Sequence, residues 1–147
     1  MIQKPTYFEL KELICPDVFK FYGETSWQFF DPRLFVTIDK LRERLNKAMF
    51  VNNWNEGGEF TQRGFRCIQC QLEQDAFKNN KMYCSPHSRG QAIYFDVQGL
   101  VAEEVRQYII KNPNLLPYPV RLEAGVNWVH MDVVDNYIGD KVVLFNP

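Results

Sequence analysis

No stretch of this chain holds the roughly 18 consecutive apolar residues that a membrane-spanning helix requires, so no membrane span is expected. Charge of one sign is equally scarce. Seventeen Lys and Arg stand against 18 Asp and Glu, and a net charge of -1 denies nucleic acid the basic field that phosphate binding needs. Arg42 and Arg44 read instead as the wet face of a helix. There is no internal repeat, no low-complexity tract and no linker to divide the 147 residues, so a single domain over 1–147 is expected. The segment Met1-Ile2-Gln3-Lys4-Pro5-Thr6 lacks the apolar core of a secretion signal. The expectation is a protein made in a reducing cytoplasm, with its four cysteines as thiols or metal ligands rather than disulfides.

Apolar material is ample. With 46% of its residues hydrophobic and 15% of all residues aromatic, the chain can build a packed core. Asp31-Pro32 reads as an N-cap followed by proline at the first helical position, and Leu34, Ile38, Leu41 and Leu45 recur at helical spacing behind it. A shorter helix is predicted within Thr6–Leu13, stopped by Pro16. Leu100–Lys111 reads as a second long helix with a stripe of Val101, Val105, Tyr108 and Ile109, ended by Asn112-Pro113. Ala48–Val51, Gln91–Val97, Val120–Leu122, Trp128–Val133 and Val142–Phe145 read as strands. The order implies an α+β fold in which a small antiparallel sheet has helices packed on one face.

Only two histidines occur, which makes each informative. His130 lies in Trp128-Val129-His130-Met131-Asp132-Val133, where strand alternation puts Trp128, His130 and Asp132 on one face. His87 lies in Ser85-Pro86-His87-Ser88-Arg89-Gly90-Gln91-Ala92, a loop entering a strand. Taken singly, a histidine is more often a structural residue than a ligand. Together, Ser85-x-His87-x-x-Gly90-x-Ala92 and the later Trp128-x-His130 resemble the D-alanyl-D-alanine carboxypeptidase family. That group includes phage L-alanyl-D-glutamate endolysins and shares its fold with the Hedgehog signalling domain. Arg63-Gly64-Phe65-Arg66 is similar to the family's Ser-Gly-Tyr-Arg element, so the resemblance covers about half the chain, from Arg63 to Val133.

The resemblance implies a zinc-dependent peptidase that cleaves amide bonds in the stem peptide or cross-bridge of peptidoglycan. It makes His87 and His130 zinc ligands, and Arg66 the contact to a substrate carboxylate or carbonyl oxygen. Glu123 falls near the place where some members carry the catalytic glutamate. Such chemistry needs a zinc-bound water with its pKa lowered to about 7, a carboxylate to take its proton and a cation for the developing oxyanion. The absence of a signal segment fits a phage lysis or virion protein, cytoplasmic as synthesised and released to the cell wall by a separate route.

Two positions depart from the family. Its third ligand, an aspartate seven residues after the first histidine, is Tyr94 here. Asp96 should face the same side of the strand about 6.7 Å further along. Three alternatives stay open: Asp96 reaches in, Tyr94 binds as a phenolate, or the metal site is incomplete. Asn127 stands where many members carry a glutamate, which leaves Glu123 as the base, against the blander reading of an ordinary strand-end carboxylate. Phe65, Trp54 and Trp128 are candidates to line the cleft or to belong to the core. A non-catalytic relative, keeping the fold as a cell-wall or protein binding module, is a competing class. A further alternative is a structural zinc knot made by Cys67-x-x-Cys70 and Cys84-x-x-His87, four ligands with no open position.

Overall fold

Pro16 begins a helix rather than ending one. In the computed structural model, which describes residues 3–80 and 84–147, a single helical turn α1 (Leu10–Leu13) is followed by α2 (Pro16–Tyr22), with Cys15 extended at its N-cap. Proline is well suited to that first position, because its missing N–H would have had no helical partner anyway. A 3-10 stretch, Gly23–Phe29, then leads into α3 (Pro32–Leu45). The Asp31 carboxylate accepts the Arg33 N–H at 3.0 Å, and Asn46 closes the helix in a left-handed conformation. Leu34, Phe35, Ile38 and Leu41 form its buried face as the spacing predicts.

Strand β1 (Met49–Phe50) is short, and α4 (Gln71–Lys78) has no buried residue at all. With no apolar stripe facing the core, α4 carries little in its sequence to announce it. After it come β2 (Ala92–Val97), α5 (Ala102–Lys111), β3 (Val120–Glu123), β4 (Val129–Asp132) and β5 (Val142–Phe145). The helix and strand positions expected from sequence fall within one or two residues of these, apart from α1, which starts four residues after Thr6, and from α2 and α4, which the spacing does not predict.

The five strands lie in the order β1-β2-β4-β3-β5. The sheet is mixed, which corrects the expectation of an antiparallel one: β5 runs parallel to β3, pairing Val120 with Val142 and Glu123 with Phe145. The cause is positional. Both edges of β4 are already hydrogen-bonded, to β2 and to β3, so the returning chain must cross to the outer edge of β3. A strand that reverses after β4 runs antiparallel to it, and hence parallel to β3.

Alternation gives the sheet two chemically different sides. Ile93, Phe95, Val97, Leu122, Val129 and Met131 are buried in one cluster with Leu34, Ile38, Val105 and Ile109 of the helices. On the other side Tyr94 pairs with His130 and Arg121 with Asp132. Among the described residues no helix is long and apolar enough to cross a membrane.

Candidate metal-binding and catalytic site

The loop bearing His87 is fixed by its own backbone. The Ser85 hydroxyl accepts the His87 N–H at 3.1 Å, and Gly90 N–H returns to the His87 carbonyl at 3.2 Å. Gly90 has φ +68, and a Cβ there would fall 2.1 Å from the Phe29 carbonyl oxygen, so only glycine fits. Gly64 is required for a similar reason, since a Cβ would meet the Leu13 carbonyl oxygen at 2.0 Å. This close approach is locked by Phe65 N–H donating to Leu13 at 2.7 Å and by a parallel bridge between Ile14 and Phe65.

These constraints bring the two imidazoles together. His87 Nε2 lies 3.4 Å from His130 Nδ1, and both rings are buried. His87 Nδ1 is 2.9 Å from the Gly64 carbonyl oxygen, which can only accept, so the proton of the neutral ring sits on Nδ1. His130 Nε2 is 2.9 Å from Asp132 Oδ2 and donates to it. Burial would push the Asp132 carboxyl up, but the hydrogen bonds from His130 and Arg121 outweigh it and hold the group below the usual carboxylate range, ionised. The remaining nitrogens, His87 Nε2 and His130 Nδ1, face each other: His87 Nε2 presents a lone pair, and His130 Nδ1 presents a second when its ring is neutral or donates to His87 when its ring is protonated. Burial first, then the charges of Arg66 and His130, keep His87 well below its ordinary pKa and so unprotonated.

A shared proton or a metal ion can lie between the two facing nitrogens. Two nitrogens on a tetrahedral zinc, each about 2.0–2.1 Å from the metal, stand about 3.3–3.4 Å apart. The pair matches that spacing, and each ring donates its other N–H to a carbonyl or carboxylate, the orienting contact typical of metal-bound histidine. Arg121 completes the support with two bonds to Asp132, at 2.8 and 2.9 Å. Arg106, buried on α5, donates to the carbonyls of Val126 and Trp128 and anchors the loop that leads into His130.

Around the pair lies a cleft of about 790 Å3 lined by Arg66, Tyr94, Arg121 and Glu123 as well as both histidines. Tyr94 packs its ring centroid 4.5 Å from that of His87 and 5.0 Å from that of His130. Glu123 is buried rather than an exposed strand-end carboxylate, and Trp128 donates its indole N–H to it at 2.9 Å. Arg66 is also buried, so it is no surface ion pair. Its Nε donates to the Gln62 carbonyl at 2.6 Å, its contact with Glu73 is 3.6 Å, and its Nη2 has no hydrogen-bond partner.

Other expected residues lie elsewhere. The Asp96 carboxylate is held by Arg63 at 2.6 Å with its side chain 49% exposed. Strand periodicity gives it the right side, but Arg63 has claimed it. Phe65 belongs to the core, stacked on Phe29 with centroids 5.5 Å apart, and Trp54 packs on Phe19 and donates to the Ile14 carbonyl. The zinc knot is not assembled as its spacing suggests: Cys84 is exposed and touches Ser88 at 3.9 Å, while His87 faces His130. Instead Cys67 and Cys70 meet Cys15, and among the described residues this is the one set of three His, Cys, Asp or Glu ligand atoms lying within 4.8 Å of one another. That group could hold a metal ion. Among the described residues no carboxylate oxygen lies within 4.8 Å of a nitrogen of both histidines.

Asp132, Arg121 and Arg106 are the functional supports that motif reading passes over. The first was legible as a partner on the His130 face of the strand; the two arginines act through folded contacts that sequence spacing does not encode. No family model, curated protein or solved structure matches the chain.

Proposed function

We propose that the protein is a zinc-dependent peptidase acting on amide bonds of peptidoglycan, with His87 and His130 as the metal-binding pair. The observation that carries this reading is the 3.4 Å approach of His87 Nε2 and His130 Nδ1, with the far nitrogen of each ring hydrogen-bonded to a carbonyl or a carboxylate. When bound, zinc would supply a Lewis acid and a water acidic enough to ionise near neutral pH. Glu123, buried on the cleft wall and held by Trp128, is the carboxylate placed to accept a proton and return it to the leaving amine. Arg66 lines the cleft as the cation for a peptide carbonyl or carboxylate, and its buried, unpartnered Nη2 would gain an acceptor if the side chain shifts toward that ligand. Tyr94 takes the strand position of the missing aspartate. The substrate class comes from the resemblance of the motifs alone.

One observation favours a second reading. Because among the described residues no carboxylate oxygen lies within 4.8 Å of a nitrogen of both histidines, the same fold could serve as a non-catalytic cell-wall binding module. Incubation with purified cell walls separates the two. The peptidase releases new amino groups in the presence of zinc, loses that release with a chelator and loses it again in Glu123→Gln and His130→Ala. Sedimentation with the walls and no amine release at any zinc concentration would establish the binding module.

A further inference from the structure

Cys15, Cys67 and Cys70 come from two segments 52 residues apart, yet their sulfurs converge. Cys15 Sγ is 3.7 Å from Cys67 Sγ, and Cys67 Sγ is 3.9 Å from Cys70 Sγ. Thiolates on a tetrahedral zinc, each about 2.3 Å from the metal, stand about 3.8 Å apart. The backbone builds the arrangement. The Ile14–Phe65 bridge and the glycine-only contact at Gly64 set Cys15 beside Cys67, and a turn closed by Cys70 N–H on the Cys67 carbonyl at 3.1 Å folds Cys70 back toward both. Cys15 and Cys70 are the N-cap residues of α2 and α4, so the starts of two helices meet at the cluster.

We propose that Cys15, Cys67 and Cys70 form a thiolate site for one zinc ion, separate from the imidazole pair, that clamps the N-terminal helices to the segment bearing Arg66. Three soft sulfur ligands select zinc over magnesium or calcium. Cys15 and Cys70 are buried, whereas half-buried Cys67 lines a groove shared with Asp17 and Gln69, and water has access from there as a fourth ligand. The clamp has an evident task. Gly64, whose carbonyl orients His87, and Arg66 lie on the same strand of chain as Cys67, and Glu73, the Arg66 partner, lies on the helix that Cys70 caps. This site stands or falls independently of the peptidase reading.

Cobalt(II) titration of the reduced, metal-free full chain provides the test, because cobalt bound by thiolate absorbs in the near ultraviolet and cobalt bound by imidazole and water does not. The expected result is a sulfur-to-cobalt charge-transfer band that saturates at one equivalent and is displaced by zinc. Cys67→Ser, at the least buried of the three positions, should weaken cobalt binding at this site at least tenfold, while Cys84→Ser and His130→Ala leave the band intact. Absence of the band, its persistence unchanged in Cys67→Ser with circular dichroism confirming the fold, or its loss in Cys84→Ser would overturn the proposal.

Discussion

Tyr94 is the residue on which the imidazole site turns. It occupies the register position opposite His130, and its ring already touches both histidine rings. A phenol ionises near pH 10 and must lose its proton to bind a metal, whereas a carboxylate is already charged at pH 7. Tyr94→Asp should therefore raise zinc affinity at this site by about tenfold or more, measured by competition with a chromophoric chelator in a Cys67→Ser background. Unchanged affinity would place Tyr94 outside the metal shell. Asp132 acts one step further out. It has no exposed surface, accepts from His130 and takes both bonds from Arg121. Asp132→Asn removes the charge that fixes the His130 tautomer, and zinc binding should weaken about 10–100-fold. The thiol site should be untouched by that change, and equal weakening of both sites would point to general loosening of the fold instead.

At the scale of elements, α3 and the loop bearing His87 are joined through Asp31. Its carboxylate accepts from Arg33 and from Gln91 Nε2 at 3.1 Å, and its N–H donates to the Gly90 carbonyl at 3.0 Å. Burial would raise the Asp31 pKa, but the bonds from Arg33 and Gln91 prevail and lower it. A carboxylate depressed in the folded state adds stability that is fully present above its unfolded value, about 3.9, and is lost as pH falls through the lower folded value. Acid titration of unfolding should show this loss below about pH 4 in the native chain and a flatter profile in Asp31→Asn, which still caps the helix. A profile no flatter in the variant would show that the acid sensitivity resides elsewhere. Gly90 meets the same junction from the other side: Gly90→Ala should destabilise by about 2–4 kcal/mol in urea unfolding, through left-handed strain plus the clash with Phe29.

Elements with a buried stripe were legible because burial writes its own period. Leu34, Ile38 and Leu41 on α3, and the alternation through Val129, His130, Met131 and Asp132, place their side chains where the spacing predicts. Pro16 was misleading because proline both stops and starts helices, and the residue that decides between them, an extended Cys15, is a backbone fact. The convergence of His87 and His130 follows from motifs, whereas the capture of Asp96 by Arg63 and the replacement of Cys84 by Cys15 depend on contacts distant in sequence. No local pattern encodes them.

Across the whole molecule, the segment from Arg63 to Glu73 links three parts that the sheet does not connect. Its backbone pairs with the N-terminal helices at Leu13 and Ile14, its Gly64 carbonyl orients His87, its Arg66 N–H reaches the His87 carbonyl at 3.4 Å, and its cysteines close the thiol cluster. Arg63 additionally donates its N–H to Asn52 and sends its guanidinium to Asp96 on β2. The segment has no strand of its own and α4 buries nothing, so its local stability rests on these contacts and on the packing of Phe65 against Phe29 and Phe30. A cation at the three thiols would bind only the closed arrangement and so stabilise it by mass action. Hydrogen exchange should report this directly. Zinc at saturating concentration should slow exchange of the Phe65 and Arg66 amides by roughly 1 kcal/mol or more in opening free energy. The comparison is made in a His130→Ala background, where the added Cys67→Ser change should return those amides to their metal-free rates, and protection that persists in the double variant would show that the sulfur clamp is not its source.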